Sequence, residues 1–393
     1  MNILITGFAF VRKNISEVFD YYKGPERIYF LLPKAWPIKG GKYVYRPVED
    51  HQTFTSQVFF SHSQFPVVGG AFKGWLLFLP WFLFKKRSLE INVLFSAMEP
   101  LLLSTLWEGI WAKIFGLRHV IFTWENIHYR SKFKGFNLWL KELVLKSNIL
   151  LSEAVICGNH KAAAIIGSYT FKPHPVIPLS GVNGEFFHKL SIPKKFREAN
   201  FEGNIVYSFI GSLSYRKGIH LIIEAFPGVL EELPNARLII TGTGEYEKEI
   251  DSLIDEHGLR DVVFRYPWVS HDEVRELMSI SDVFVYPSLP YKGWEDQLGY
   301  ATMEASLMEL PVITTLSGSM DEVVKHKETG LLLHRPYRAD DLKDMMLELG
   351  KDDNLRRRYG QAARKHMIEN FSHEVVARKF ERFFDDLKRK TRG

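Results

Sequence analysis

The sequence lacks the features that would place it in several specialised classes of protein. It has one cysteine, Cys157, in 393 residues, which excludes an internal disulfide and is typical of a reducing compartment. No apolar run approaches the roughly 18 residues of a membrane-spanning helix. The opening MNILITG has the pattern of a strand and lacks the basic region of a secretory signal. We therefore expect a cytoplasmic protein, with peripheral association at the inner membrane face as the alternative.

Charge of either sign is not in large excess. The chain has 51 basic and 46 acidic residues, a formal net charge of +5, which is too balanced to indicate a nucleic-acid partner. It is compatible with a phosphorylated substrate or an anionic membrane surface. Hydrophobic residues make up 46% of the chain, as in ordinary globular proteins. The length is sufficient for two or three domains.

What the sequence does have is a strand, loop, helix, strand pattern over residues 282–315. Asp282–Pro287 is a short apolar run typical of a buried strand, and a helical pattern begins at about Leu298. Asp296 therefore lies in the loop at the end of a strand, and Glu304 lies about two turns into the helix. Ligands of open α/β sheets bind at this edge, and phosphates bind at helix N-termini. The alternative is that both carboxylates are merely solvated.

A second strand and loop, residues 205–218, reads IVYSFIGSLSYRKG. Arg216 and Lys217 are two cations between a strand end and a helix start, an arrangement that favours a diphosphate. A solvated basic loop is the alternative. After the next strand, Gly242 and Gly244 form an incomplete dinucleotide fingerprint that lacks its third glycine.

The pattern from Asp296 to Glu304, followed by Pro-Val-Ile-Thr, resembles the Glu-x7-Glu segment of retaining glycosyltransferases of family 4, the group 1 glycosyl transferases. In that family the second acidic residue, here Glu304, holds the ribose of a nucleotide-sugar donor. The first, here Asp296, lies against the transferred sugar. The donor-binding segment implied between them is Gln297, Leu298, Gly299 and Tyr300.

The 211–218 loop also resembles this family. The resemblance implies that Gly211 and Lys217 bind the donor phosphates and that Lys217 stabilises the departing diphosphate. Ser212 stands where the family has an arginine, and Arg216 is the candidate to replace that cation. A G-x-G at the position of Gly242 and Gly244 lines the nucleotide pocket in the family.

The resemblance is fainter in the N-terminal half. The family usually has a glycine-rich loop after the first strand, on the acceptor side. This chain has only Gly7 there. After the strand His119–Thr123, Glu125 stands where the family has a catalytic histidine. Either Glu125 replaces that histidine, which we favour, or His128 does so from a shifted loop.

The resemblance implies an α/β protein of the GT-B fold, with two Rossmann-like domains facing a central cleft. The predicted divisions are an acceptor domain (1–183), a linker (184–203), a donor domain (204–372) and a C-terminal helix returning to the first domain (373–393).

The function implied is retaining transfer of a hexose from a UDP- or GDP-sugar to a glycan or lipid-linked acceptor. No Asp-x-Asp motif is present, so neither a metal nor another cofactor is predicted. Three alternatives remain open. The first is an epimerase or phosphorylase of the same fold, and the second is a non-catalytic sugar-nucleotide-binding protein. The third is a NAD-dependent enzyme, which would depend on Gly242 and Gly244 alone.

The aromatic stretch 74–87 allows two interpretations. It is either buried core or a membrane-surface patch, in which Trp75, Trp81 and Phe82 enter the headgroup zone and Lys85–Arg87 meet lipid phosphates. Pro80, in the middle of the stretch, is expected to kink a helix there.

Overall fold

The structure is a computed structural model that describes residues 1–37, 44–61, 68–190 and 201–389. Residues 191–200 of the predicted linker lie outside the described residues. Contacts divide the chain into two compact units. The first is Met1–Gly181 with His373–Gly393, and the second is Val182–Ser372.

The first unit contains a parallel sheet of six described strands, in the order β5-β2-β1-β6-β7-β8. The strands of this unit are β1 (Asn2–Thr6), β2 (Arg27–Pro33), β3 (Trp36–Pro37), β4 (Val44–Tyr45), β5 (Thr53–Ser56), β6 (Ile91–Ser96), β7 (Arg118–Thr123) and β8 (Ala154–Cys157). β3 and β4 form a separate antiparallel pair. The central strands are buried on both faces, as expected for parallel sheets covered by helices.

The helices that connect these strands cover both faces of the sheet. They are α1 (Lys13–Ser16), α2 (Val68–Ala71), α3 (Leu79–Lys85), α4 (Leu103–Ile114), α5 (Tyr129–Lys132), α6 (Gly135–Leu151) and α7 (His160–Gly167), with 3₁₀ turns at Phe8–Val11, Glu17–Tyr21 and Arg87–Leu89. Asn159 caps α7, because its side-chain oxygen accepts a hydrogen bond from the Ala162 N–H at 2.7 Å.

The aromatic stretch 74–87 is partly core. Trp75 is half-buried, and Phe82 packs against the cluster that contains Leu79 and Leu83. Of the three aromatic residues predicted to meet a membrane, Trp81 alone is exposed, at 63%. The predicted kink is wrong: Pro80 lies in the first turn of α3, where its missing N–H has no partner to lose. Among the described residues, no helix is both long and apolar enough to cross a bilayer.

The first unit also buries a polar network. The Glu108 carboxyl accepts hydrogen bonds from the Thr6 and Ser96 hydroxyls, each at 2.5 Å, and Ser96 Oγ lies 2.8 Å from His119 Nε2. Burial raises the pKa of Glu108 to about 7 and lowers that of His119 to about 3. His119 is therefore uncharged near neutral pH, whereas Glu108 is about half protonated at pH 7.

The second unit contains another parallel sheet of six described strands, in the order β11-β10-β9-β12-β13-β14. Its strands are β9 (Ile205–Ile210), β10 (Ala236–Thr241), β11 (Val263–Tyr266), β12 (Val283–Tyr286), β13 (Val312–Thr315) and β14 (Gly330–Leu333). Its helices are α8 (Ile219–Glu232), α9 (Glu247–Glu256), α10 (His271–Ser279), α11 (Tyr300–Leu307), α12 (Met320–Val323), α13 (Ala339–Lys351) and α14 (Asp353–Phe371), with a 3₁₀ turn at Tyr215–Lys217.

The last helix, α15 (His373–Arg389), belongs to the first unit. Its Val376, Phe380 and Phe384 are fully buried in the cluster formed by β1, β2 and β6. Removing a buried phenylalanine side chain costs about 3–5 kcal/mol. The C-terminal helix is thus an integral part of the N-terminal core.

Candidate functional site

The second sheet brings two loops together where its strand order reverses. β9 lies between β10 and β12, and all three strands are parallel. Right-handed crossovers therefore place the helices after β9 and β12 on opposite faces, which leaves a crevice at the carboxyl ends of these strands. The loop after β9 carries Arg216 and Lys217, and the loop after β12 carries Asp296.

Lys217 and Asp296 form a buried ion pair in this crevice. Lys217 Nζ lies 2.7 Å from Asp296 Oδ2 and 3.0 Å from Oδ1, and each side chain is 7% exposed. The ammonium also donates to the Tyr286 hydroxyl, and the Ser288 hydroxyl donates to Asp296. Burial lowers the pKa of Lys217, while the Asp296 carboxylate opposes that shift. The surrounding hydroxyls provide the hydrogen bonds that a buried ion pair requires.

A second cation lies beside this pair without a carboxylate of its own. The Arg216 guanidinium stacks on the Trp294 ring at 3.7 Å from its centroid, and Lys217 Nζ lies 5.2 Å from the same centroid. Arg216 Nη1 is buried, and no described residue accepts its hydrogen bond. Arg216, Lys217 and Asp296 together carry one net positive charge. A buried donor without a partner in a positive crevice favours an anionic oxygen ligand. Ser212 is exposed and adds no charge.

The glycines of this region allow two loops to pack backbone against backbone. A Cβ at Gly242 would lie 1.9 Å from the Gly211 oxygen, and one at Gly244 would lie 2.0 Å from the Leu213 oxygen. The Leu213 N–H donates to the Thr243 carbonyl at 3.0 Å. Loop packing thus explains the need for glycine at 242 and 244. Their predicted contact with the nucleotide stays a prediction.

The loop after β12 leads directly into α11. Gly299, with φ +63°, precedes the first helical residue, Tyr300. The helix begins shortly after Asp296, and the Thr302 N–H in its first turn donates to the Gly299 carbonyl at 2.8 Å. Leu298 is buried and Gln297 is half-buried. Burial raises the pKa of Glu304, in the second turn of α11, to about 8. Its carboxyl group is therefore largely protonated at neutral pH.

In the first unit, Gly7 lies at the corresponding switch point. β1 lies between β2 and β6, and Gly7 follows β1 with φ +135°. A Cβ at Gly7 would lie 2.8 Å from the Ala97 oxygen. The loops after β1 and β6 therefore approach closely, and any other residue at position 7 would push them apart.

Glu125 and His128 both follow β7 and both have partners within this unit. Glu125 Oε2 pairs with Lys132 Nζ at 2.5 Å. His128 caps α5, where its Nδ1 accepts from the Arg130 N–H at 3.2 Å, and its Nε2 lies 3.4 Å from Ser168 Oγ. Both ring nitrogens of His128 have partners. Both carboxylate oxygens of Glu125 do as well, because Oε1 accepts a hydrogen bond from the Ile127 N–H at 3.1 Å. Their roles toward a substrate stay a prediction.

Sequence reasoning missed Glu99, which organises the same loop. The Glu99 carboxyl accepts hydrogen bonds from Thr123 Oγ1 at 2.6 Å and from the Trp124 N–H at 2.8 Å. Burial raises its pKa to about 7. Its position directly after β6 was the available signal, since side chains at the carboxyl ends of neighbouring parallel strands converge. Glu99 thus fixes the backbone that presents Glu125.

Within the ranges that the structure describes, no group of three or more His, Cys, Asp or Glu side chains is arranged to hold a metal ion. The site is therefore built from an ion pair, an extra cation and a helix start.

Comparison with known proteins shows which family the chain resembles. Residues 191–366 match the family described as "Glycosyl transferases group 1". The predicted resemblance is confirmed. The chain is 29% identical to an uncharacterised glycosyltransferase of Methanocaldococcus jannaschii, over 43% of this chain and 42% of that protein. It thus spans less than half of that relative's length.

Two further relatives have named functions. A capsular polysaccharide biosynthesis glycosyltransferase, CapM of Staphylococcus aureus, is 26% identical over 66% of this chain and 68% of its own length. A GDP-mannose-dependent phosphatidylinositol monomannoside mannosyltransferase of Mycobacterium tuberculosis is 30% identical over 44% of this chain and 46% of its own length.

Solved structures show the same fold. Anabaena HepE in complex with UDP and glucose matches with a TM-score of 0.72 at 18% identity, covering 98% of this chain and 100% of that one. Sucrose-phosphate synthase of Thermosynechococcus elongatus matches with a TM-score of 0.75 at 17% identity, covering 99% and 100%. The predicted fold class, two Rossmann-like α/β domains of the GT-B type, is confirmed.

Proposed function

We propose that the protein is a retaining glycosyltransferase that moves a hexose from a nucleotide-diphosphate sugar to a glycan or lipid-linked acceptor. The observation that carries this proposal is the positive crevice between β9 and β12. It holds the Lys217–Asp296 pair, the unpartnered Arg216 Nη1 and the start of α11. The relatives that build capsular polysaccharide or mannosylate a phosphatidylinositol lipid support the acceptor class.

In this proposal the donor diphosphate accepts hydrogen bonds from Arg216, Lys217 and the N–H groups that begin α11. Glu304 accepts hydrogen bonds from the ribose hydroxyls, and Asp296 faces the sugar. Lys217 changes partner, from Asp296 in the free protein to the diphosphate in the complex. The complex thereby keeps the ammonium paired throughout.

The proposed reaction proceeds on one face of the sugar. An acceptor hydroxyl oxygen bonds to the anomeric carbon as the bond from that carbon to the diphosphate oxygen breaks. The hydroxyl proton passes to the departing diphosphate. Negative charge grows on the diphosphate in the transition state, so Lys217 and Arg216 stabilise the transition state more than the bound donor. Gly7 and Glu125 are assigned to the acceptor side.

The test is turnover of radiolabelled UDP- and GDP-sugars with and without polyprenyl-phosphate, phosphatidylinositol and oligosaccharide acceptors. We expect nucleoside diphosphate release that requires an acceptor, and an anomeric configuration in the product equal to that of the donor. Lys217→Met is the inactive reference, and Lys248→Met, on the exposed surface of α9, is the matched control.

The alternatives predict different results in the same assay. Donor binding by calorimetry without any turnover would favour the non-catalytic sugar-nucleotide-binding protein. Conversion of the donor to its epimer without an acceptor, or phosphate-dependent cleavage of a glycan, would favour the other two activities. A product with inverted anomeric configuration would refute the retaining mechanism but not the transfer of sugar.

A further inference from the structure

More than half of the large apolar side chains that are exposed in the described residues lie on three helices of the first unit or directly at their ends. α4 packs against both α3 and α6, so the three form one layer. The exposed residues on it, hereafter the aromatic layer, are Phe78, Trp81, Phe84, Ile110, Ile114, Phe115, Phe136, Trp139, Leu140, Leu143 and Leu150. Contiguous exposed apolar surface of this kind marks an interaction site.

The aromatic layer is separate from the apolar faces that these helices bury. In α6, Leu145 and Ile149 pack in the core, whereas Phe136, at 76%, and Trp139, at 58%, are exposed. Phe136, Trp139 and Leu143 are spaced by three and four residues, which places them on one side of the helix. α6 therefore has two apolar stripes, and only one of them packs in the core.

The charge of these helices and their flanks is mostly positive. Two acidic residues also lie in the flanks: Glu90 is exposed, and Glu153 pairs with Arg118. The basic residues are Lys85, Lys86, Arg87, Lys113, Lys134, Lys141 and Lys146. Of the carboxylates within α3, α4 and α6, Glu108 is buried. Glu142 is paired with Arg130 at 2.9 Å and with Lys146 at 3.7 Å. A second copy of the chain would bring like charges together, so this charge pattern disfavours self-association through the layer.

We propose that the aromatic layer docks on an anionic lipid bilayer, with Trp81 and Trp139 in the headgroup zone and the lysines against lipid phosphates. Aromatic rings combined with cations are the composition that binds such surfaces. The docking face differs from the one predicted from the sequence, because it excludes Trp75 and Phe82 and gains α6. The proposal goes beyond the proposed function, since lipid binding does not depend on sugar transfer.

The test is flotation of the full chain with phosphatidylcholine vesicles that contain 0 or 30% phosphatidylglycerol. We expect binding to the anionic vesicles that weakens as salt rises, because exposed charges are screened over about 10 Å at 0.1 M. Lys85→Glu should reduce the partition coefficient at least about fivefold. Trp81→Ala with Trp139→Ala should reduce it by about tenfold or more.

The controls separate docking from folding and from catalysis. Phe171→Ala removes an even more exposed aromatic ring outside the layer and should leave vesicle binding unchanged. Urea unfolding followed by far-UV circular dichroism should have the same midpoint for all variants, which shows that each is folded whichever nucleotide the protein binds. Absence of vesicle binding, or equal loss in the Phe171→Ala control, would overturn the proposal. So would a concentration-dependent dimer in sedimentation that the double Trp variant abolishes.

Discussion

Breaking the Lys217–Asp296 pair should destabilise the second unit far more than breaking a surface pair. Asp296→Ala leaves an ammonium group that is 7% exposed without its carboxylate. An uncompensated charge at such a site costs about 3–5 kcal/mol. With a denaturant slope of about 2 kcal/mol per molar urea, the unfolding midpoint should fall by about 2 M. Tryptophan fluorescence during urea unfolding of the full chain measures this shift.

The same unit offers a matched control. Arg260 and Asp255 pair at 2.5 Å, but their side chains are 61% and 56% exposed. Asp255→Ala therefore removes an ion pair of similar geometry that water screens. We expect no measurable change of the urea midpoint for this variant.

A double variant separates charge burial from packing. Lys217→Met with Asp296→Leu removes both charges and keeps most of the volume, but leaves the Ser288 and Tyr286 hydroxyls without these partners at about 1 kcal/mol each. We expect it to regain about half of the stability that Asp296→Ala loses, while transferase activity stays absent. The assigned cost of charge burial is wrong if Asp296→Ala shifts the midpoint no more than Asp255→Ala. It is also wrong if the double variant is as unstable as Asp296→Ala, because the loss would then not come from an unpaired buried charge.

Three other predictions concern single groups. Glu304→Ala should weaken donor binding at neutral pH by about 0.5–1.5 kcal/mol, since a largely protonated carboxyl makes neutral hydrogen bonds; unchanged affinity in calorimetry contradicts its role at the ribose. Lys217→Ala should lower kcat more than it raises the donor KM, and steady-state kinetics in which KM alone moves would make Lys217 a binding residue. The pKa of Glu108 is raised from 4.5 to about 7. Its stabilising effect is therefore complete below pH 4.5, and about 3 kcal/mol of it is lost as the pH rises to 7. Glu108→Gln should abolish that loss in urea unfolding measured from pH 4.5 to 7.5, and a slope equal to that of the parent would refute it.

The second unit was predicted well because its strands are buried on both faces. Runs such as Asp282–Pro287 contain consecutive apolar residues that no helix pattern explains, and β12 was found at Val283–Tyr286. α6, by contrast, was not predicted at all. Its apolar residues point both into the core and outward, which blurs the helical period.

The site could be predicted in its parts but not in its connections. The sequence indicated Lys217 and Asp296 separately, each from its own strand end. Their direct pairing depends on β9 lying next to β12, a neighbour relation that no local pattern contains. Glu99 was missed for the same reason, since its partners Thr123 and Trp124 follow a different strand.

The position of α15 has a consequence for synthesis on the ribosome. The sheet that begins at Asn2 cannot complete its core until Phe380 and Phe384 have left the exit tunnel. The second unit, Val182–Ser372, contains all of its own elements. The half that is translated first should therefore mature last, which reverses the usual vectorial order. A nascent chain that ends at Ser372 and is tethered to the ribosome by a linker long enough to clear the exit tunnel should resist protease in its second unit while its first unit is still cleaved.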